Sequence, residues 1–243
     1  MKTIALIPAR YAATRFPGKL MQKLGDKTII RHTYENTKAT LLFDEVIVVT
    51  DSAIIFDEIT HYGGYVIMSK QDHESGSDRI AEAILDIDTE IVVNVQGDEP
   101  FVQKSILESL LSLFNQDMTE KVQVTSLMYQ ITEQADIDNP NHVKVVVDDH
   151  NNALYFSRSV IPFNRNKNNN AVYFKHVGLY GFRKETLIQF TKMPKSVLES
   201  TEMLEQLRYI QAGIKIKMAL IGECPLSIDT PEDLEKAKLL YQF

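Results

Sequence analysis

Cysteine is almost missing from this chain. Cys224 is the only one in 243 residues, so an intramolecular disulfide is excluded, which fits a reducing compartment. Long apolar runs are missing too, and no stretch approaches the roughly 20 residues of a membrane span. The apolar segment 3–9 is short and ends at Arg10, without the long apolar core and cleavage site of a secretion signal. It reads as a buried first strand, and a cytoplasmic location is the expectation. Positive charge is scarce: 26 Lys and Arg stand against 33 Asp and Glu, a net charge of −7. That argues against broad nucleic-acid binding through a basic face. Three signature motifs are absent: Gly-x-x-x-x-Gly-Lys-Ser/Thr, Gly-x-Gly-x-x-Gly and Gly-x-Ser-x-Gly. A P-loop, a dinucleotide oxidoreductase and a nucleophile-elbow hydrolase lose their support. No His/Cys cluster suggests a metal site. What is present is ordinary for a soluble globular protein, with 44% hydrophobic and 24% charged residues.

Short apolar runs at 3–8, 45–50, 65–68 and 90–95 read as strands buried on both faces. Between them, 28–39, 53–61 and 77–85 carry helical spacing. That alternation predicts an α/β fold with a mostly parallel sheet flanked by helices. Ligands of such sheets bind beyond the carboxyl ends of the strands. Those ends are polar here: Ala9-Arg10, Thr50-Asp51 and Gln96-Gly97-Asp98. The second half differs. Segments 122–131, 143–147, 153–156 and 172–182 are strand-like, with a turn at 148–152 and a polar Asn-rich stretch at 164–170. One domain, 1–243, is expected, with an α+β insertion at about 132–182. Near the end, Ser196 with Glu199 fits a capping box, 201–211 an amphipathic helix stopped by Gly213, and 214–221 a strand. Thr230-Pro231-Glu232-Asp233 opens a last helix.

The chemistry begins in the loop after the first strand. Arg10, Arg15 and Lys19 are three cations in an acidic chain, with Pro17-Gly18 folding the loop back. Guanidinium groups grip phosphate oxygens in pairs and a lysine adds a point charge. A solvated basic loop is the plain alternative, and its place directly after a strand favours phosphate. Asp98, behind Gly97, offers a hard oxygen at a strand end, suited to Mg²⁺, although a turn-forming Asp would look the same. Asp229 precedes a helix start, where acids also simply complement the dipole. In Ser75-Gly76-Ser77-Asp78-Arg79, either Ser77 or Asp78 serves as an N-cap, or the loop contacts a base or sugar. His176 and Tyr180 share one strand face and suit a polyhydroxylated ligand or a satisfied buried pair. Arg158 suits a carboxylate. Glu205, one helical turn from Arg208, reads most plainly as half of a surface salt bridge.

Joined in order, these strings resemble the 3-deoxy-D-manno-octulosonate (Kdo) cytidylyltransferases. The resemblance rests on Ile7-Pro8-Ala9-Arg10-Tyr11, Arg15-Phe16-Pro17-Gly18-Lys19, Val49-Thr50-Asp51, Ser75-Gly76-Ser77-Asp78-Arg79, Gln96-Gly97-Asp98-Glu99-Pro100, Tyr155-Phe156-Ser157-Arg158, Lys175-His176-Val177-Gly178, Met203-Leu204-Glu205-Gln206 and Ile228-Asp229-Thr230-Pro231. It covers essentially the whole chain. Leu20, where relatives often carry Pro, and Ser52-Ala53 after Asp51 depart from the pattern without touching an expected ligand group.

The resemblance implies a nucleotide-diphospho-sugar transferase-like α/β fold and a homodimer built through the inserted strands. It implies CTP and Kdo as substrates, CMP-Kdo and pyrophosphate as products for lipopolysaccharide biosynthesis, and Mg²⁺ held by Asp98 and Asp229. By the same resemblance Arg10, Arg15 and Lys19 grip the triphosphate, Ser75 and Arg79 fall in the cytidine region, and Gln96, Arg158, His176, Tyr180 and Glu205 form the sugar-acid site. Two other readings remain: a cytidylyltransferase for another sugar acid (an 8-amino Kdo analogue or a sialic acid), and a nucleotide-binding module without catalysis.

Overall fold

The computed structural model describes residues 1–12, 16–71, 73, 75–119, 121–166 and 171–241. Two compact units are distinguished: Met1–Leu107 with Pro225–Phe243, and Glu108–Cys224. The expected insertion, 132–182, lies wholly inside the second unit.

The first unit alternates strand and helix. Its elements are β1 (Thr3–Ala9), a small β2–β3 hairpin (Lys23–Leu24, Lys27–Thr28), α1 (Ile29–Ala39), β4 (Glu45–Thr50), α2 (Ala53–His61), β5 (Val66–Met68), α3 (Gly76–Ala83) and β6 (Ile91–Asn94). A further helix, α4 (Lys104–Asn115), begins in this unit. The strands order β6-β1-β4-β5, all parallel. β1 is buried at every position and β6 likewise, as a strand covered on both faces must be. α1 is capped by the Thr28 hydroxyl, which accepts from the Arg31 N–H, and buries Ile29, Ile30, Thr33 and Thr37. The Thr33 hydroxyl reaches the Gly97 carbonyl at 2.9 Å, so this helix holds the loop after β6.

The second unit contains β7 (Val124–Ile131), α5 (Gln134–Asp138), β8 (Lys144–Val147), β9 (Ala153–Ser157), β10 (Tyr173–Arg183), α6 (Lys184–Thr191), α7 (Val197–Glu202), α8 (Leu207–Gln211) and β11 (Ile216–Ile221). β7 pairs parallel with β11 and antiparallel with β10; β10 pairs antiparallel with β8, and β8 with β9. The β8–β9 turn follows the sequence expectation: Asp148 gathers its own turn by accepting from the Asn152 N–H at 2.7 Å, and Asn151 takes φ 56°. Back in the first unit, α9 (Pro231–Tyr241) closes the chain.

One expectation fails in the second unit. A single helix over 201–211 does not form. The Ser196–Glu199 capping box is present and starts α7 at Val197. Met203 then turns left-handed at φ 54°, and α8 begins afresh at Leu207. Tertiary pull overrides helical spacing here. The Glu202 carboxylate is drawn to the Ser157 hydroxyl at 2.6 Å and the Arg158 N–H at 3.0 Å. The stop at Gly213 does hold, with φ 77°.

Candidate active site

Lys19 is the centre of the first unit's polar end. Gly18 at φ 63° starts a short 3-10 turn, Lys19–Met21, that follows the basic loop. The Lys19 ammonium donates to Asp98 Oδ2 at 2.5 Å and to Asp229 Oδ1 at 3.1 Å. Burial works against its charge, but Asp98 and then Asp229 outweigh that and hold its pKa above 10.5. It stays an ammonium.

Two features bring the carboxylates together. A backbone hydrogen bond from Ile228 N to Asp98 O, at 3.0 Å, ties the segment before Asp229 to the loop after β6. Asp233 then fixes the α9 entrance by accepting from the Asp229 N–H at 3.1 Å, the Thr230 N–H at 2.9 Å and the Thr230 hydroxyl at 3.0 Å. Gly97 matters for space rather than for an unusual φ. A Cβ there would lie 3.1 Å from Leu20 Cδ1 and from the Pro8 carbonyl, so the loop can lie against β1 only without one.

The other expected nucleotide residues take different positions. Arg10 is exposed directly beyond β1, at the carboxyl end of the parallel sheet. Arg15 lies outside the described residues. Ser75, and not Ser77 or Asp78, is the N-cap of α3; it accepts from the Asp78 N–H at 3.1 Å. Arg79 is buried and donates to Asp51 Oδ2 at 2.5 Å, joining α3 to the end of β4. Gln96 donates to Asn94 Oδ1 at 3.2 Å.

In the second unit, His176 and Tyr180 do come together, with ring centroids 5.4 Å apart. The pairing of β10 with β7 shifts between Val177 and Tyr180 by an even number of residues, which preserves the shared face. Desolvation, then repulsion from Lys175, holds the His176 pKa down to about 3, so the imidazole is neutral. Burial, helped by the Glu205 charge, raises the Tyr180 phenol well above 10, so it remains a donor. The Arg158 guanidinium lies along three carbonyls, those of Glu202 at 2.9 Å, Pro140 at 3.2 Å and Met203 at 3.5 Å. Glu205 falls in the break between α7 and α8, and Arg208 grips Glu199 in bidentate fashion at 2.6 and 2.7 Å.

Sequence reasoning marked Asp51 as a polar strand end but overlooked the other residues that hold these groups. Ser126, Lys144 and Glu202 carry no local signature, because each is defined by a partner distant in the chain. Lys144 is fully buried and donates to the carbonyls of Asn139 at 2.9 Å and Arg158 at 2.7 Å.

This parallel α/β unit carries two carboxylates and a lysine at one polar end, and the comparisons set it in a class, the nucleotidyltransferases. A family model described as cytidylyltransferase matches residues 4–216. A 3-deoxy-manno-octulosonate cytidylyltransferase of Flavobacterium johnsoniae is 56% identical over 240 residues, covering 99% of this chain and 98% of that one. One from Christiangramia forsetii is 53% identical, covering 98% and 96%. A solved structure described as CMP:2-keto-3-deoxy-manno-octonic acid synthetase complexed with CTP superposes with a TM-score of 0.94 at 39% identity, covering 100% of this chain and 99% of that one. A 4-diphosphocytidyl-2C-methyl-D-erythritol synthase from Anaerococcus prevotii shares the fold alone, with a TM-score of 0.66 at 18% identity. The chain belongs to the 3-deoxy-manno-octulosonate cytidylyltransferase family.

Proposed function

We propose that this chain transfers the cytidylyl group of CTP to the anomeric hydroxyl of Kdo, releasing pyrophosphate. The observation that carries the reading is the Lys19 ammonium shared by Asp98 and Asp229, in a chain 56% identical to an enzyme of that name. The anomeric oxygen attacks the α-phosphorus in line, and the bond to the departing pyrophosphate breaks. Little covalent work falls to the protein, which positions the reactants and balances charge. Arg10, Arg15 and Lys19 hold the triphosphate and take up the negative charge of the leaving group. Lys19 suits this because its proton is retained.

The carboxylates fit a divalent cation. Both are hard oxygen donors, both turn toward one positive charge, and Asp229 remains 42% exposed. Mg²⁺ bound by Asp98 and Asp229 would supply Lewis acidity to the phosphate and the attacking hydroxyl. Ser75 and Arg79 are assigned to the cytidine region. For Ser75 this sits beside a capping role, and buried Arg79 serves it by holding Asp51, whose side chain is the exposed half of the pair. Gln96, Arg158, His176, Tyr180 and Glu205 are assigned to the sugar acid. Arg158 supplies positive charge for the carboxylate, and neutral His176 and protonated Tyr180 serve hydroxyls. The protein is further proposed to work as a cytoplasmic homodimer.

A second reading changes only the sugar. An 8-amino-3,8-dideoxy-manno-octulosonate cytidylyltransferase of Shewanella frigidimarina is 41% identical across 98% of both chains. The test measures CTP- and Mg²⁺-dependent pyrophosphate release with Kdo, its 8-amino analogue and N-acetylneuraminate. Preference for Kdo is expected. Preference for another acid revises the substrate, and no release with any of them leaves a nucleotide-binding module.

A further inference from the structure

Ser126 sits on β7 with no solvent exposure, opposite the point where the register of β10 shifts. The shift gathers three acceptor-capable atoms around its hydroxyl: Leu179 O at 2.9 Å, His176 Nε2 at 3.0 Å and Val177 O at 3.3 Å. A serine hydroxyl has one proton and two lone pairs. Carbonyl oxygens can only accept, and the Leu179 carbonyl is the shortest of the three contacts. The proton therefore goes to the carbonyls, and the Ser126 oxygen is left to accept from an N–H at Nε2.

We infer that Ser126 is a positioning residue that locks His176 in its neutral Nε2–H tautomer, so that the ring offers ligand recognition only the lone pair of Nδ1. The surroundings agree. Phe156 packs edge-on against the imidazole at 4.9 Å and Tyr180 lies tilted at 5.4 Å, so aromatic rings flank it. Gln206, itself buried, places its Nε2 3.5 Å from Nδ1, as a donor facing a lone pair would. In this arrangement Nδ1 accepts from a ligand hydroxyl that displaces the long Gln206 contact, or keeps that contact while the Gln206 carbonyl accepts from the hydroxyl, and the ring cannot act as the cationic partner of a carboxylate. The inference deepens the proposed sugar-acid reading by dividing its labour: carboxylate to Arg158, hydroxyl to His176.

The test is long-range ¹H–¹⁵N NMR on full-length protein with ¹⁵N-labelled histidine, using His176→Gln to assign the resonance. Wild type is expected to show Nε2 protonated and Nδ1 bare. Ser126→Ala, which removes one buried oxygen and adds no bulk, is expected to populate both tautomers. It should also raise KM for Kdo about 10-fold, the scale of one hydrogen bond, while KM for CTP stays unchanged. A dominant Nδ1–H tautomer in wild type overturns the inference, and so does an unaltered Nε2–H tautomer in S126A. The tautomer is read without turnover. Absent pyrophosphate release with every sugar acid would therefore defeat the proposed activity while leaving the Ser126 result standing.

Discussion

At the residue scale, charge pairing decides the site. Asp98 has Lys19 as its partner and a proposed metal as its task, so Asp98→Asn keeps the shape and removes the charge. Turnover is expected to fall at least 100-fold, as befits loss of an electrostatic group, with the circular dichroism spectrum unchanged; near-normal pyrophosphate release would reject the metal assignment. Lys19→Met leaves Asp98 and Asp229 facing each other without their cation. Both carboxylates are partly solvated, so the stability loss is expected to be only about 1 kcal/mol, read as a lower midpoint in urea and partly recovered on adding Mg²⁺.

His176 contributes a pH dependence whose sign is definite. Its folded pKa, about 3, lies below the ordinary value of 6.5, so between those values the unfolded chain binds the proton and the folded one does not. Stability from this group is therefore full above pH 6.5 and declines as pH falls toward 3, with a limiting slope of about 1.4 kcal/mol per pH unit. Urea midpoints across that window should fall less steeply in His176→Gln. An equal slope would show that the ring protonates freely in the folded protein.

At the element scale, glycines and caps set what the strands present. Gly97→Ala puts a Cβ 3.1 Å from a backbone carbonyl of β1 and from Leu20, the neighbour of Lys19. The loop must shift, at a cost of about 1–3 kcal/mol, and turnover should fall with it because Asp98 rides on the same loop. Thermal unfolding and pyrophosphate release on one preparation check both. Most of the first unit was legible because its strands are covered on both faces and its helices carry one apolar stripe: β4 and α2 occupy the residues their patterns indicate. α4 carries the same kind of signal in Ile106, Leu107, Leu110, Leu111 and Phe114, although the expected helices did not include it. The α7–α8 break had no such signal. Its cause is Glu202 bonding to Ser157 and Arg158, 45 and 44 residues away, and a helical periodicity cannot register a contact of that range.

At the scale of the whole molecule, the formal charge of −7 confines cationic chemistry to a few built positions. No retardation of duplex DNA is expected at physiological salt, and a salt-sensitive shift would contradict the sequence reading. The sequence by itself determined the α/β class, the alternation of strands and helices through most of the first unit, and which strand ends are polar. Those are short-range properties, written in periods of two and 3.6 residues and in turn chemistry. The joint string of motifs also marked the family. Only the tertiary structure decided which polar residues meet. Lys19 bridges partners 79 and 210 residues away, and Ser126 reaches His176 across 50. Parallel strand order, one backbone bond from Ile228 to Asp98 and a register shift in β10 bring these groups together. The physical reason is that such convergence depends on how distant strands align, and no local pattern encodes that alignment.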